Sequence, residues 1–319
     1  MRRLTLAVVL VIGLLATVMA RPASAAYIGS NGRLAFVRAN DIYTVTPSGH
    51  GEDQLTSVGK NFRPKWSPDG QRIAYIKEAA DGTRDLWVMS ATGTNKTRVT
   101  DLGNVTSEPA WSPDGKTLAF SAGDNPAYGG LLYTINSAAP FGGLTPLQGY
   151  LTNCTDCDPD HPVIQIYADR FVAWSPDGSR IAIFNHMDAM FDDAIFWYYV
   201  ATGETFEFGA TGADCCGFVV VSDLAWGPGG EFGYGQADTG AVDGSDPFMN
   251  ILYPAQDPAP GPLFVSAEGD KSPTPSPSGT RMAFTNSTSG RPKIYVATVT
   301  GENRRFVTNG YQPDWQPVP

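Results

Sequence analysis

Short apolar runs broken by tight polar turns make up most of the chain. Arg72-Ile73-Ala74-Tyr75-Ile76, Thr117-Leu118-Ala119-Phe120 and Arg180-Ile181-Ala182-Ile183-Phe184 are typical. They are too short for helices and rich in the β-branched and aromatic residues that strands favour. Each follows a Trp-Ser-Pro-Asp-Gly turn, in which Pro presets φ, Asp bonds backbone N–H groups and Gly takes the left-handed position. After a variable loop comes a third run, as in Asp85-Leu86-Trp87-Val88-Met89 or Lys293-Ile294-Tyr295-Val296-Ala297. A turn such as Ala91-Thr92-Gly93 or Thr300-Gly301 then leads to a fourth, Thr97-Arg98-Val99-Thr100 or Arg305-Phe306-Val307-Thr308. Four antiparallel strands of this kind make one propeller blade.

The Trp-Ser-Pro-Asp-Gly stretch stands at Trp66–Gly70, Trp111–Gly115 and Trp174–Gly178. It fades to Trp226-Gly227-Pro228-Gly229-Gly230 and Pro275-Ser276-Pro277-Ser278-Gly279, and ends as a half copy, Pro313-Asp314-Trp315-Gln316-Pro317. Spacing of about 40–60 residues marks a repeat architecture. Second strands beginning near Arg33, Arg72, Thr117, Arg180, Glu231 and Arg281 predict an all-β, six-bladed β-propeller of four-stranded antiparallel blades. The first unit lacks an opening strand, with Gly29-Ser30-Asn31-Gly32 standing where its turn belongs. Tyr311-Gln312-Pro313-Asp314-Trp315 supplies the missing strand, so the C-terminus is expected to complete the first blade and close the ring. Closure removes sheet edges that invite aggregation. The repeated Trp residues 66, 111, 174, 226 and 315 are expected to pack between blades.

The units from Pro64-Lys65-Trp66-Ser67-Pro68-Asp69-Gly70 to Asp85-Leu86-Trp87-Val88-Met89, with their copies, resemble the TolB-type WD-like propeller repeat. The resemblance spans nearly all of the chain after residue 25, and no TolB-type N-terminal α/β domain is read before the first blade. That difference separates the chain from the part of TolB's partner traffic that runs through the missing domain. The repeat also resembles the propellers of prolyl-oligopeptidase-type enzymes, but no Gly-x-Ser-x-Gly nucleophile turn occurs anywhere in the sequence.

Met1-Arg2-Arg3, an apolar run from Leu4 to Ala20 and Ala23-Ser24-Ala25 read as a secretory signal peptide, cut after Ala25. A propeller over residues 26–319, secreted or periplasmic, is then expected, with no later membrane span. Removing Arg2, Arg3 and Arg21 takes the formal net charge from −10 to −13. Acidity of this degree argues against nucleic acid or anionic membrane as a partner, since phosphate binding needs clustered Lys and Arg. A monomer is expected.

Function is sought where the repeats are unequal. The insertions Ser121–Gly130, Leu144–Arg170, Asn185–Ala194, Gly209–Ser222 and Gln236–Asn250 all fall between second and third strands or between blades, which places them on one face. They carry the candidate binding residues Tyr128, Tyr150, His161, His186, Met187, Asp188, Met190, Phe191, Asp192, Phe218 and Phe248. Amphipathic side chains on long loops suit partner recognition.

Cys154, Cys157, Cys215 and Cys216 fall on the same face of neighbouring blades. In an oxidising compartment they suggest two cross-links between the loops, with the pairing open. Free or redox thiols and a Cys₄ zinc site are the other readings. The redox reading lacks a thioredoxin-like context, and adjacent cysteines chelate a tetrahedral metal poorly.

His161 and His186, with Asp188, Asp192 and Asp193, form a thin metal option, and His50 lies on the opposite face. Asp238–Asp246 has alternating oxygen ligands but fails the EF-hand spacing and lacks its closing Glu. No catalytic residue, resident metal or cofactor is assigned. The sequons at Asn95, Asn104, Asn153 and Asn286 matter only in a glycosylating host.

The sequence thus predicts a non-enzymatic scaffold binding a protein, peptide or cell-envelope component through the loop-rich face of blades three to five. The alternative is a metal-assisted hydrolase or lyase, acting on carbohydrate or a small ester at the channel mouth. Removing the last nine residues is expected to lower the melting temperature by about 10 °C or more, read by thermal denaturation; an unchanged melting temperature contradicts the closure.

Overall fold

The computed structural model describes residues 29–319 apart from 126–128, 140, 152–163, 169, 188–191, 212–218, 231, 239–247, 254–266 and 268. The described secondary structure is all β. The first sheet joins both ends of the described chain: β1 (Ser30–Arg38), β2 (Asp41–Val45) and β3 (Asp53–Gln54), with β26 (Tyr311–Val318) on the other side of β1. The second holds β4 (Lys60–Trp66), β5 (Arg72–Glu78), β6 (Arg84–Ser90) and β7 (Thr97–Arg98). The third holds β8 (Ala110–Trp111), β9 (Thr117–Asn125), β10 (Gly129–Asn136) and β11 (Thr145–Pro146), with β14 (Tyr167–Ala168) also on β10.

Six strands make the fourth sheet: β12 (Gln148–Leu151), β13 (Ile164–Gln165), β15 (Val172–Trp174), β16 (Arg180–Met187), β17 (Asp192–Tyr199) and β18 (Glu204–Thr211). The fifth has β19 (Val219–Trp226), β20 (Phe232–Asp238) and β21 (Phe248–Tyr253). The last has β22 (Asp270–Pro275), β23 (Arg281–Asn286), β24 (Lys293–Thr298) and β25 (Arg305–Asn309). The expectation of six uniform blades is corrected here. Among the described residues five sheets reach the four strands of a full blade, and the sheet of β19–β21 stops at three. Residues 254–266, where its fourth strand is expected, lie outside the described residues.

The turns form for the reasons their residues suggest. Ser67 Oγ donates to Asp69 Oδ1 at 2.5 Å, which also accepts the Gln71 N–H at 3.1 Å, while Arg72 N donates back to Ser67 Oγ at 2.9 Å. The same cage recurs at Ser112/Asp114 and at Ser175/Asp177. Where the sequence fades, Ser278 takes the aspartate's place and Arg281 N still donates to Ser276 Oγ at 3.1 Å. The Ser112 hydroxyl and the Lys116 amide hold the Asp114 carboxyl below its ordinary range. At Asp69 and Asp177 burial pushes upward, and the hydroxyl and amide donors outweigh it.

Among the described residues five of the seams between sheets are apolar clusters that contain a tryptophan, and at the sixth β22 ends on Pro275 instead. Trp66 packs with Ala35 and Ile42 of the first sheet, Trp111 with Ala74 and Ile76 of the second, and Trp174 with Ala119 and Leu132 of the third. Trp226 packs with Ala182 and Phe184 of the fourth, and Trp315 with Ala283 and Ile294 of the last. Three indoles also donate to the preceding sheet's innermost strand: Trp111 Nε1 to Lys65 O at 3.0 Å, Trp226 Nε1 to Ala173 O at 3.2 Å and Trp315 Nε1 to Thr274 O at 3.0 Å. Trp174 Nε1 turns to Gly178 O in its own turn, and the buried Trp66 Nε1 has no hydrogen-bond partner. A buried indole usually finds an acceptor, so this regular seam supplies burial and a hydrogen bond together.

The C-terminal strand pairs antiparallel with β1, setting Leu34 opposite Trp315 and Ser30 opposite Val318. It also reaches the second sheet: Gln316 Nε2 donates to Gly70 O at 2.9 Å, and Gln316 Oε1 accepts the Arg33 N–H at 3.1 Å. Gly70 has φ +65°, and a Cβ there would overlap the Pro317 carbonyl oxygen. Gly178, in the same turn position with φ +75°, would meet only Pro113 carbons at 3.5 Å or more. Gly178→Ala is therefore expected to cost about 1 kcal/mol for the left-handed backbone alone. Gly70→Ala should cost roughly 1–3 kcal/mol more, because backbone must move. Equal losses in chemical denaturation would show that the C-terminal strand does not crowd this turn.

Candidate functional site

Antiparallel pairing sends the Pro-Asp-Gly turns and the β3-to-β4-type connections between strands to opposite ends of the sheets. On the end away from the Pro-Asp-Gly turns, several expected insertions prove to be strand. The hairpin of β16 and β17 pairs out to Asn185–Ala194, His186–Asp193 and Met187–Asp192. Its neighbour β18 follows to Thr211, opposite Asp193. In the next sheet Val219 pairs with Asp238 and Ala237 with Phe248. The backbone thus carries His186, Met187, Asp192 and Phe248 to the same end of two adjacent sheets.

Tyr150 is not with them. Leu132 N donates to Ile166 O at 2.7 Å and Leu147 N to Leu132 O at 2.9 Å, so residues 147 and 166 flank one residue of β10. The fourth strand of this sheet is therefore split into β11 and β14, with the β12–β13 hairpin inserted between the halves. The hairpin leaves the sheet at mid-strand and adds β12, in parallel, to the outer edge of the next sheet, Tyr150 opposite Glu204. Tyr198 Oη donates to Gln148 O at 3.0 Å beside the Ala201-Thr202-Gly203 turn. Tyr150 consequently sits toward the turn end, and in its described residues the Leu144–Arg170 insertion is an edge clasp between two sheets rather than a face loop. Tyr128, His161, Asp188, Met190, Phe191, Phe218 and all four cysteines, Cys154, Cys157, Cys215 and Cys216, lie outside the described residues, as does most of Asp238–Asp246.

The innermost strands bring together a group of charges that sequence reading passed over. One cavity of about 70 Å³ touches all six of them, through Lys65, Ala110, Ala173, Ala225, Thr274 and Asp314. These are the residues just before the repeated Trp or its Pro replacement. The space is large enough to admit water. Lys65 Nζ lies 3.0 Å from Glu108 Oε2, and Asp314 Oδ2 accepts the Trp66 N–H at 2.7 Å. Glu108 and Asp223 are buried, and Glu108 Oε1 has no hydrogen-bond partner. Arg63, with φ +55°, donates from Nη1 to Thr106 O and Arg170 O and lies over the Phe171 ring.

Burial, then the Asp223 carboxylate, push the Glu108 carboxyl up to about 8 against the pull of Lys65 and Arg63. Burial lifts Asp314 to about 6, with Lys65 and the Trp66 amide resisting. Burial works against the Lys65 charge too, but Glu108, Asp223 and Asp314 outweigh it and raise its pKa. The only signals in the sequence were Lys65 and Asp314 standing where other repeats have alanine or threonine. Among the described residues no three His, Cys, Asp or Glu side chains come together as metal ligands would.

Solved structures with the same arrangement are numerous. The TolB of Acinetobacter baumannii superposes with a TM-score of 0.65 at 16% identity, over 90% of this chain and 67% of that one. The fold is TolB-like. A Nidogen/Laminin complex matches with a TM-score of 0.59 at 8% identity, over 89% of this chain and 98% of that one. Kuenenia stuttgartiensis hydrazine synthase follows at 0.51 and 14%, over 80% and 73%. Such low identities carry the TolB-like likeness to fold and no further. No protein-family model matches the sequence, and no curated protein matches it. Among the described residues no helix is long and apolar enough to cross a membrane.

Lys65→Met is expected to cost roughly 3–5 kcal/mol at neutral pH, because it strands buried carboxylates without their cation. Adding Asp314→Asn should return at least 1 kcal/mol, giving a coupling measurable in a double-mutant cycle. Additive losses in urea unfolding would mean that Lys65 and Asp314 do not act on one another.

Proposed function

We propose that this chain is an exported, non-enzymatic binding scaffold: a closed propeller of six blades, recognising a protein or peptide on the end built up by blades three to five. The strand register carries the reading. β16, β17, β18 and β19–β21 run on together at one end, whereas β23 and β24 of the last sheet span six residues each. Two adjacent sheets therefore extend together at one end, carrying Met187, Asp192 and Phe248 there, and the candidates Tyr128, Met190, Phe191 and Phe218 are taken to belong to the same recognition surface. An apolar centre with a polar rim is what protein recognition uses.

Closure is supported by β26 lying on β1 while packing toward both flanking sheets, and by the single cavity that meets all six innermost strands. The three-stranded sheet of β19–β21 is then counted as a blade of the ring, which brings the total to six. The Nidogen/Laminin complex is a propeller-fold structure captured with another protein, which agrees with a partner-binding role. Export rests on Met1–Ala25, and the cysteines of 154–157 and 215–216 suit cross-links in an oxidising compartment.

Replacing residues 187–192 by Asn-Gly tests the reading, because that pair closes a two-residue hairpin and leaves the rest of β16 and β17 paired. A partner recovered with the wild-type chain from the envelope fraction should be lost with this variant. It should be kept when the Ala201-Thr202-Gly203 turn at the other end is replaced in the same way. Equal recovery by both variants removes the built-up end from the account.

A further inference from the structure

The charges along the channel do more than line it. Asp314 belongs to β26, the strand that joins the end of the chain to its beginning, and its carboxylate grips the first sheet's neighbour through the Trp66 N–H at 2.7 Å. Lys65, next to that amide, lies 3.0 Å from Glu108 and within electrostatic reach of Asp314. Asp223 of β19 acts electrostatically on Lys65, Glu108 and Asp314, and Arg63, two residues before Lys65 on β4, acts on Glu108. The remaining innermost strands present Ala173 and Thr274, which carry no charge. Three carboxyl groups, one lysine and one arginine are the charged groups of the cluster among the described residues.

This balance depends on protons. If all three carboxyl groups are ionised, three negative charges, two of them on buried side chains, gather around a single lysine. A proton on one carboxyl relieves that repulsion and removes a desolvated charge. Glu108 is the group placed to hold it: it is 4% exposed, and its Oε1 has no acceptor or donor partner of its own.

We infer that the channel cluster is a proton-dependent latch on the C-terminal strand, holding the two ends of the chain together most firmly in mild acid and less firmly as pH rises through neutrality. The sign follows from linkage. Glu108 and Asp314 are held above their ordinary values in the folded chain, so the folded form binds protons that the unfolded chain has released. Stability is therefore greatest below the ordinary carboxylate range for these groups. It declines from there until pH has passed about 6 for Asp314 and about 8 for Glu108. The turn aspartates Asp69, Asp114 and Asp177 have the opposite sign, their contribution fading as pH falls through their depressed values. Mild acid is where both sets are satisfied.

Hydrogen exchange on the full chain tests the latch. The amides of 311–318, corrected for intrinsic exchange, should lose protection between pH 5.5 and 7.5 by up to about tenfold per pH unit, the limit for release of one proton. Amides of β5 and β6, inside one sheet, provide the reference. Glu108→Gln, neutral at every pH and of the same shape, should flatten the dependence above pH 6.5. Should that variant fold poorly, Asp314→Asn should flatten it below pH 6.5, since the amide oxygen still accepts from Trp66. Unchanged protection of 311–318 across this range in the wild-type chain overturns the latch. So does a pH dependence that survives in both variants.

Discussion

The structure depends on a seam repeated from sheet to sheet. A tryptophan on five of the six innermost strands enters the apolar face of the sheet before it, and in three of them the indole N–H closes on a backbone carbonyl there. A sheet with one open apolar face is not stable by itself. Stacking each sheet on its predecessor through a large, hydrogen-bonded aromatic ring turns several marginal units into one body. Trp111, Trp226 and Trp315 complete this contact; Trp174 makes the apolar half and donates within its own turn, and Trp66 makes the apolar half with its indole N–H unpartnered.

The unpartnered indole, Trp66, falls beside the strand that joins the chain's end to its beginning. Trp66 follows Lys65 and faces the strand holding Asp314, the only innermost strand delivered from the C-terminus. There the link runs through a carboxylate instead: Asp314 takes the Trp66 backbone N–H, and Gln316 takes the Arg33 N–H while its amide reaches Gly70. Side chains with charge and amide donors replace the uniform aromatic seam. Buried charges cost desolvation and contribute little net stability, but they are selective about what they pair with. Selectivity is useful at the one junction between strands so far apart in sequence.

The elaborations follow a different logic. The β12–β13 hairpin interrupts a fourth strand without unpairing it, because Leu147 and Ile166 bracket Leu132 and keep the ladder continuous. The excursion then satisfies an exposed edge of the neighbouring sheet, a position that otherwise invites foreign strands. Lengthened hairpins at β16–β17 and β20–β21 leave the core untouched and add surface at one end only. Among the described residues these elaborations lie at outer edges and at one end, while the innermost strands and their turns stay close to a common plan.

By itself the sequence determined the strand units, their turns and the role of the repeated tryptophans. Trp-Ser-Pro-Asp-Gly encodes a local geometry, in which the Ser67 and Asp69 side chains cage their own backbone wherever the motif occurs. It also identified Tyr311–Trp315 as a strand without a local partner. Only the tertiary structure decided that Tyr150 leaves its own sheet for the edge of the next, since a mid-strand insertion and a loop between strands have the same length and composition. It alone, too, gathered Lys65, Glu108, Asp223 and Asp314. Their neighbourhood comes from curvature of sheets tens of residues apart, and a one-dimensional pattern holds no record of what faces it across a channel.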